Sequence, residues 1–131
     1  MRYTIPTFSG TVAFRIEPQS YGVLCDFNQF VVCVDSNREL VIKHGYVEPE
    51  IKTGIYMNTN AWNTLCIAYD RLIAGDSATE STYAIKLWCD FDKCPVEIAI
   101  SNLGDFHTFI IGGSRYWVNE IKGQAYESYV S

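Results

Sequence analysis

Short runs of apolar and β-branched residues, separated by polar turns, extend along almost the whole chain. Examples are residues 21–26, 30–34 and 40–44, and no sustained helical period interrupts the series. Such side chains favour a pleated, half-buried surface, and many short strands at spacings of about 8–12 residues indicate a sandwich or barrel. We therefore predict an all-β fold built as a two-sheet antiparallel β-sandwich.

The middle of the chain carries the clearest alternation. In residues 62–70, Trp62 and Cys66 fall on one face and Leu65 and Ile67 on the other, so both faces carry bulk. This is typical of a strand in the middle of a sheet, and we assign Trp62 and Trp88 to the core. Further strands are predicted at 11–16, 51–57, 83–88, 96–100, 106–111 and 124–130, with a surface loop at 74–81.

Composition and charge exclude several classes of protein. With 48% apolar and 15% aromatic residues, the 131 residues suit one folded domain, 1–131, rather than a disordered chain. The net charge is −5 and the ten basic residues form no cluster, so we expect no nucleic-acid partner. No apolar run reaches the ~20 residues of a membrane span, and residues 1–6 hold no apolar leader, so we expect no membrane insertion and no signal peptide.

Five cysteines give an odd number, so at least one stays unpaired in a monomer. Cys25, Cys33 and Cys66 lie in strand-like runs, where a thiol behaves as a small apolar group. Cys89 and Cys94 flank a four-residue turn and could face each other across a hairpin. The sequence leaves this disulfide open.

The order of the motifs resembles the laminin-G-like domains of the concanavalin A-like lectin/glucanase superfamily. The resemblance implies a concanavalin A-like jelly roll and leaves the ligand open, because such folds host many functions. The matching pieces are Gly-Thr-Val-Ala-Phe-Arg-Ile at 10–16, Arg-Glu-Leu-Val-Ile at 38–42, the Trp-led strand at 60–70, the hairpin strand at 85–90, the glycine turn at 109–114 and the closing strand at 121–126.

Enzymatic function has no support in the sequence, and we expect no catalytic residues. The glucanases of this superfamily place carboxylates as Glu-x-Asp-x-x-Glu, which is absent here, and Asp90 and Asp92 lie on the tip of a turn. His44 is interpreted as a turn residue and His107 as a structural residue on a strand. No Gly-x-Ser-x-Gly motif pairs a serine with a base.

The candidate ligand-binding residues are Arg115, Tyr116, Trp117 and Asn119, which follow the Gly112-Gly113 turn. Aromatic faces beside arginine and asparagine suit contact with a sugar ring or a protein hot spot. The alternative interpretation is that Tyr116 and Trp117 cover the core as a lid.

No cofactor or metal site is predicted, although calcium stays open. Some laminin-G-like domains hold calcium at a rim through Asp and Asn oxygens, and calcium takes six to eight such ligands. Loop positions here offer Asp70, Asp76, Asp105 and Asn119, but no ligand spacing connects them.

Two functions from different classes remain. The first is a non-catalytic recognition module that binds glycan or protein through rim loops. The alternative is a structural or assembly protein, such as a phage virion decoration, fibre or adhesion component that packs against copies of itself or a larger scaffold; a glycosidase is a disfavoured third. Because the resembling group is mostly exported and this chain has no leader, a virion or cell surface is expected over a purely cytoplasmic location.

Overall fold

The computed structural model describes residues 2–18, 21–44, 50–58, 60–74, 80–90, 95–111 and, for the backbone, 123–130. Within these ranges the chain forms eleven strands and no helix. The strands are β1 Arg2–Thr4, β2 Ser9–Pro18, β3 Gly22–Asp26, β4 Val31–Val34, β5 Glu39–Lys43, β6 Ile51–Tyr56, β7 Asn63–Ile73, β8 Ser81–Cys89, β9 Val96–Leu103, β10 Thr108–Ile111 and β11 Gly123–Val130.

The strands form two antiparallel sheets that enclose one core. The six-stranded sheet has the order β1-β10-β3-β4-β5-β6, and the five-stranded sheet has the order β11-β2-β7-β8-β9. Every pair of neighbouring strands is antiparallel. The predicted two-sheet antiparallel β-sandwich is confirmed.

The period-two pattern of the five-stranded sheet explains how its inner face forms. In β2, Val12, Phe14 and Ile16 are buried, and the residues between them are partly exposed. In β7, Leu65 and Ile67 are likewise buried beneath the facing sheet. Successive side chains of a strand point to opposite faces, so this alternation directs one apolar face inward.

Aromatic side chains fill the space between the sheets. The ring of Phe27 stacks on that of Phe30 with centroids 4.7 Å apart, and its centroid lies 4.9 Å from that of Phe109. Phe106 meets Phe30 edge-on at 5.5 Å and lies 4.9 Å from Tyr83. Offset and edge-to-face pairs of this kind add attraction beyond the area they bury.

The assignment of Trp62 and Trp88 to the core is wrong. Trp62 lies just before β7 and is 37% exposed, with the guanidinium of Arg15 5.6 Å from its ring centroid. Trp88 is half-buried in β8, where it pairs with Cys66 on the face that points away from the core. Large side chains on both faces of a strand therefore do not show that both faces are buried in the core.

Candidate binding site

A second, smaller apolar cluster lies on the other side of the six-stranded sheet. Val23, Cys33 and Val41 are consecutive cross-strand partners on β3, β4 and β5. They are almost completely buried although Val32, Val34 and Leu40 beside them point into the main core. We call Val23, Val31, Cys33 and Val41 the outer cluster.

Three residues of the outer cluster, Val23, Cys33 and Val41, form the floor of a pocket of about 380 Å³. We call this cavity the outer pocket. Its size is within the range of small-ligand sites in proteins, about 300–1,000 Å³. Polar and aromatic side chains surround the apolar floor, and they are Tyr21, Asp35, Ser36, Lys43, Glu50 and Lys52.

The turn between β4 and β5 fixes one wall of the outer pocket. The Asp35 carboxylate accepts hydrogen bonds from the backbone N–H groups of Asn37 (2.8 Å) and Glu39 (3.0 Å). The Asp35 N–H donates to the Glu39 carbonyl at 2.9 Å, and Arg38 completes the turn with φ of 68°. Asp35 therefore has a structural role, and the wall is organised before any ligand binds.

A bulge in β6 fixes the opposite wall. The register between β5 and β6 shifts between Glu39 and Val41, and Gly54 takes a φ of +75° there. A glutamate oxygen of Glu39 accepts the Gly54 N–H at 2.9 Å, and the Thr53 hydroxyl donates to the Leu40 carbonyl at 2.7 Å. Glycine suits this left-handed conformation, and the bulge leaves Lys52 opposite Val41 at the pocket.

The charges on the described residues that line the outer pocket are balanced. Lys43 Nζ lies 3.4 Å from Glu50 Oε1, and both side chains remain accessible to solvent. Lys52 and Asp35 add one charge of each sign to the lining. Such a rim offers hydrogen-bond donors and acceptors without favouring an anionic or a cationic ligand.

The thiol on the pocket floor is a poor nucleophile. Burial raises the pKa of Cys33 from its ordinary 9.0 to about 12; Lys43 opposes this rise, and Glu50 and Asp26 add to it. The thiolate is the reactive form of cysteine, so at neutral pH this side chain stays protonated. Cys33 therefore contributes apolar surface to the pocket.

Two tyrosines on the six-stranded side differ in their relation to the pocket. Tyr21 is 60% exposed and lines it, whereas Tyr56 is 58% exposed on β6 and belongs to no part of its lining. Of these two tyrosines, Tyr21 is the one that can place its aromatic face against a molecule in the pocket.

The predicted ligand-binding residues Arg115, Tyr116, Trp117 and Asn119 lie outside the described residues, and so does Cys94 of the predicted disulfide. Cys89 is half-buried at the end of β8, with its sulfur 4.0 Å from Asn63 Oδ1. The binding assignment and the disulfide stay predictions.

Asp90, His107 and His44 were also considered from the sequence, and the structure shows where each of them lies. Asp90 accepts the Thr64 N–H at 2.7 Å through its side chain and has a φ of 58°. His107 is exposed ahead of β10 rather than within a strand, and its carbonyl accepts the Ile5 N–H at 2.8 Å. His44 is half-buried directly after β5, as a turn residue would be.

The candidate calcium ligands are separated or engaged elsewhere. Asp105 accepts the Tyr83 hydroxyl at 2.7 Å and lies 3.4 Å from Arg71 Nη1. Asp70 is on β7, and Asp76 and Asn119 lie outside the described residues. In the described part of the chain, no group of three or more His, Cys, Asp or Glu side chains is arranged to hold a metal ion.

The sequence did contain a signal for the outer pocket. Residues 31–34 form an uninterrupted apolar run, and so do 40–42. A strand with one solvated face should alternate apolar and polar residues, and an unbroken run indicates burial on both faces. The same runs predict strands, but they do not show which part of the chain covers the outer face.

Comparisons with known proteins establish the fold and nothing finer. No family model matches this sequence, and no curated protein matches it. Among solved structures, the chain is similar to a native heptameric SAP-like pentraxin from Limulus polyphemus, with a TM-score of 0.55 and 18% identity. The match covers 98% of this chain and 67% of that one. Of the described residues, none forms a helix long and apolar enough to cross a membrane.

This likeness supports the concanavalin A-like, jelly-roll part of the predicted resemblance. The laminin-G-like part stays a prediction. The fold of this chain is a concanavalin A-like jelly-roll β-sandwich.

Proposed function

We propose that the protein is a non-catalytic recognition module that binds a neutral, hydroxyl-rich ligand, a glycan, in the outer pocket. The observation that carries the proposal is an apolar floor beneath a rim of balanced charge. A sugar presents apolar C–H surface on one side and hydroxyl groups around its edge, and these two surfaces match the floor and the rim.

Each part of the pocket has a role in this binding mode. Tyr21 offers an exposed aromatic face that covers the C–H surface of a sugar ring. Lys52 donates hydrogen bonds to ligand oxygens, and the ion pair of Lys43 and Glu50 supplies donors and acceptors together. The two fixed walls reduce the ordering that binding requires, which favours affinity.

The chemistry of the same groups supports the proposed non-catalytic role. The Cys33 thiol is protonated at neutral pH, and Asp35 uses its carboxylate to hold a turn. We include Arg115, Tyr116, Trp117 and Asn119 as a second predicted contact region. Protein remains the alternative ligand.

The experiment is a glycan array followed by titration of the best ligand against matched tyrosine variants. Tyr21→Ala is expected to weaken binding by up to roughly tenfold, since an aromatic stacking contact is worth ~0.5–1.5 kcal/mol and ~1.4 kcal/mol is a factor of ten. Tyr56→Ala, which removes an equally exposed ring outside the pocket, should bind like the unaltered protein.

Equal losses of glycan affinity in Tyr21→Ala and Tyr56→Ala would show that the glycan does not bind in the outer pocket. Measurable hydrolysis of any bound glycan would contradict the non-catalytic role. If Trp117→Ala alone abolished binding, the site would be the predicted rim loop and not the outer pocket.

The second candidate function is the structural one, as a virion decoration, fibre or adhesion component. Exposed apolar side chains at one end of the sandwich favour it: Phe8, Leu72 and Ile73 are all well accessible, and the Arg71 N–H donates to the Phe8 carbonyl at 2.7 Å. A structural protein of this kind should bind no glycan on the array. Leu72→Asp, which places a charge on the exposed apolar end, should weaken its attachment to the larger assembly.

A further inference from the structure

The strand β9, Val96–Leu103, is at the edge of the five-stranded sheet. Among the described strands it pairs with β8 only. An edge strand presents a row of unpaired backbone N–H and C=O groups, which is a template for another strand.

The edges of the two sheets differ in how well they are protected. In the six-stranded sheet, β1 has three residues, and β6 carries the Gly54 bulge and Lys52. Short length, bulges and lysines all discourage pairing with another strand. By contrast, β9 keeps an unbroken register with β8 from Val96 to Ile100, and its own register shift lies beyond Ile100, towards Leu103.

The core is also incompletely covered along β9. Val96 and Ile98 pack against the core but are only half-buried. Ile100, further along the same inward face, is buried. One more strand beside β9 would cover the two half-buried side chains.

We propose that β9 pairs antiparallel with β9 of a second copy of this chain, about a two-fold axis at Ala99. This pairing joins the two five-stranded sheets into one continuous sheet. An isologous contact of this kind is closed, so it gives a dimer and not a fibre. The inference is independent of the proposed glycan site, which is on the other sheet.

The side chains of β9 are complementary to themselves in this register. Ile98 faces Ile100 of the second copy on the core side, which makes two β-branched pairs. On the solvent side, Glu97 faces Ser101, and the two Ala99 side chains face each other. A register centred on Glu97 would bring two carboxylates together, which is unfavourable.

The first test measures the mass in solution by light scattering after size exclusion. The unaltered protein should have twice the chain mass of 14.9 kDa, and Ile98→Lys should have the chain mass. The matched control is Ile51→Lys, which places the same charge at a half-buried, core-packed position on the protected edge β6. This control should stay dimeric, with circular dichroism confirming that both variants fold.

The second test fixes the register and does not depend on the folding of Ile98→Lys. Directly opposed residues in an antiparallel pair have Cα atoms about 4.5–5.5 Å apart, within the about 4.4–6.8 Å that a disulfide spans. Under mild oxidation Ala99→Cys should therefore give a covalent dimer, whereas Ser101→Cys should give no more than the unaltered five-cysteine protein.

A monomeric unaltered protein would overturn the proposal. Dissociation of the Ile51→Lys control to the same extent as Ile98→Lys would also overturn it, because the edge of β9 would then not be special. Cross-linking at Ser101 and not at Ala99 would reject the register.

Discussion

Two apolar regions lie on opposite sides of the six-stranded sheet, and both are almost fully buried. The main core between the sheets is filled by packed aromatic rings, of which Phe27 alone has four aromatic neighbours with centroids within 6.1 Å. The outer cluster consists of three valines and Cys33 and contains no aromatic ring.

The difference in side-chain size explains why one region fills the space between the sheets and the other lies beneath a pocket. Large rings interlock and leave little space, so the main core stabilises the fold. Short side chains on a pleated surface leave volume above them, so the outer cluster becomes the floor of the outer pocket. The same sheet thus has one face that holds the sandwich together and one that carries the outer pocket.

Phe27→Ala is expected to give the largest effect, a loss of about 3–5 kcal/mol in the free energy of unfolding. The ring is fully buried and stacks on Phe30, so its removal leaves a cavity that the neighbouring rings fill only in part. Denaturant unfolding followed by fluorescence measures the loss.

Phe27→Leu is the control, because it keeps much of the volume and should lose clearly less. A loss for Phe27→Ala no larger than that for a valine of the outer cluster would break the distinction between the two regions.

Asn63→Ala is expected to have the next largest effect, a loss of about 1–3 kcal/mol in the free energy of unfolding. The buried Asn63 amide donates to the carbonyls of Asn58 (2.8 Å) and Ala61 (2.9 Å) and accepts the Asn58 N–H at 3.1 Å. Without it, buried backbone groups lose their partners, which costs more than the bonds themselves contribute.

The matching anchor of the outer face is Glu39, whose carboxylate accepts the Gly54 N–H. Glu39→Gln keeps an acceptor and should cost less than Asn63→Ala in the same unfolding measurement. A larger loss for Glu39→Gln would mean that the pocket wall, and not the core, limits stability.

The sequence was sufficient where neighbours along the chain determine the structure. The alternation in β7 correctly placed Leu65 and Ile67 inside, and the β8–β9 hairpin follows from two runs flanking one turn. The short β1 was missed, since Arg2 pairs with Ile110 from the far end of the chain and three residues carry no periodic signal.

The candidate site depended on contacts that no local pattern contains. The outer pocket forms only because Val23, Cys33 and Val41 become neighbours across three strands and because the bulge at Gly54 positions Lys52. Trp62 was misplaced because it falls on the same face of the alternation as Cys66, and that face points away from the core. The residues chosen as the rim site, 115–119, are not among those described.

Val41→Ala should lower the free energy of unfolding by less than Phe27→Ala does, about 1–2 kcal/mol, because each buried methyl(ene) group contributes ~0.8 kcal/mol. Val41 is fully buried, but the space it leaves opens into the outer pocket, where solvent enters and limits the cost of a cavity. The informative readout is the contrast between stability and binding: Val41→Ala should alter affinity for the array-selected glycan while the protein remains folded.

The control is Val32→Ala on the inward face of β4, which should lower stability more and leave affinity unchanged. The same affinity change in both variants would show that the two faces of the sheet are coupled.

Stability at high pH gives the most specific contrast. Burial raises the pKa of Tyr69 in the main core from its ordinary 10.0 to about 12, and burial raises the pKa of Cys33 in the outer cluster from 9.0 to about 12. In both cases the unfolded chain releases its proton first, so the free energy of unfolding falls as pH rises. The Cys33 contribution is fully present below pH 9 and declines between 9 and 12; that of Tyr69 declines between 10 and 12.

The pH dependence of urea unfolding for two variants separates these contributions. Cys33→Ala should flatten the decline from pH 9 upward, whereas Tyr69→Phe should flatten it only above pH 10. Tyr69→Phe also removes the hydrogen bond to the Pro6 carbonyl. The loss of this bond lowers the free energy of unfolding by a similar amount across the pH range, so the flattening above pH 10 reports the loss of the titrating hydroxyl. If the slope between pH 9 and 10 stayed the same in Cys33→Ala, solvent would already reach the thiol in the folded protein. The outer cluster would then be a wetted surface, and its distinction from the core would lie in hydration rather than in side-chain size.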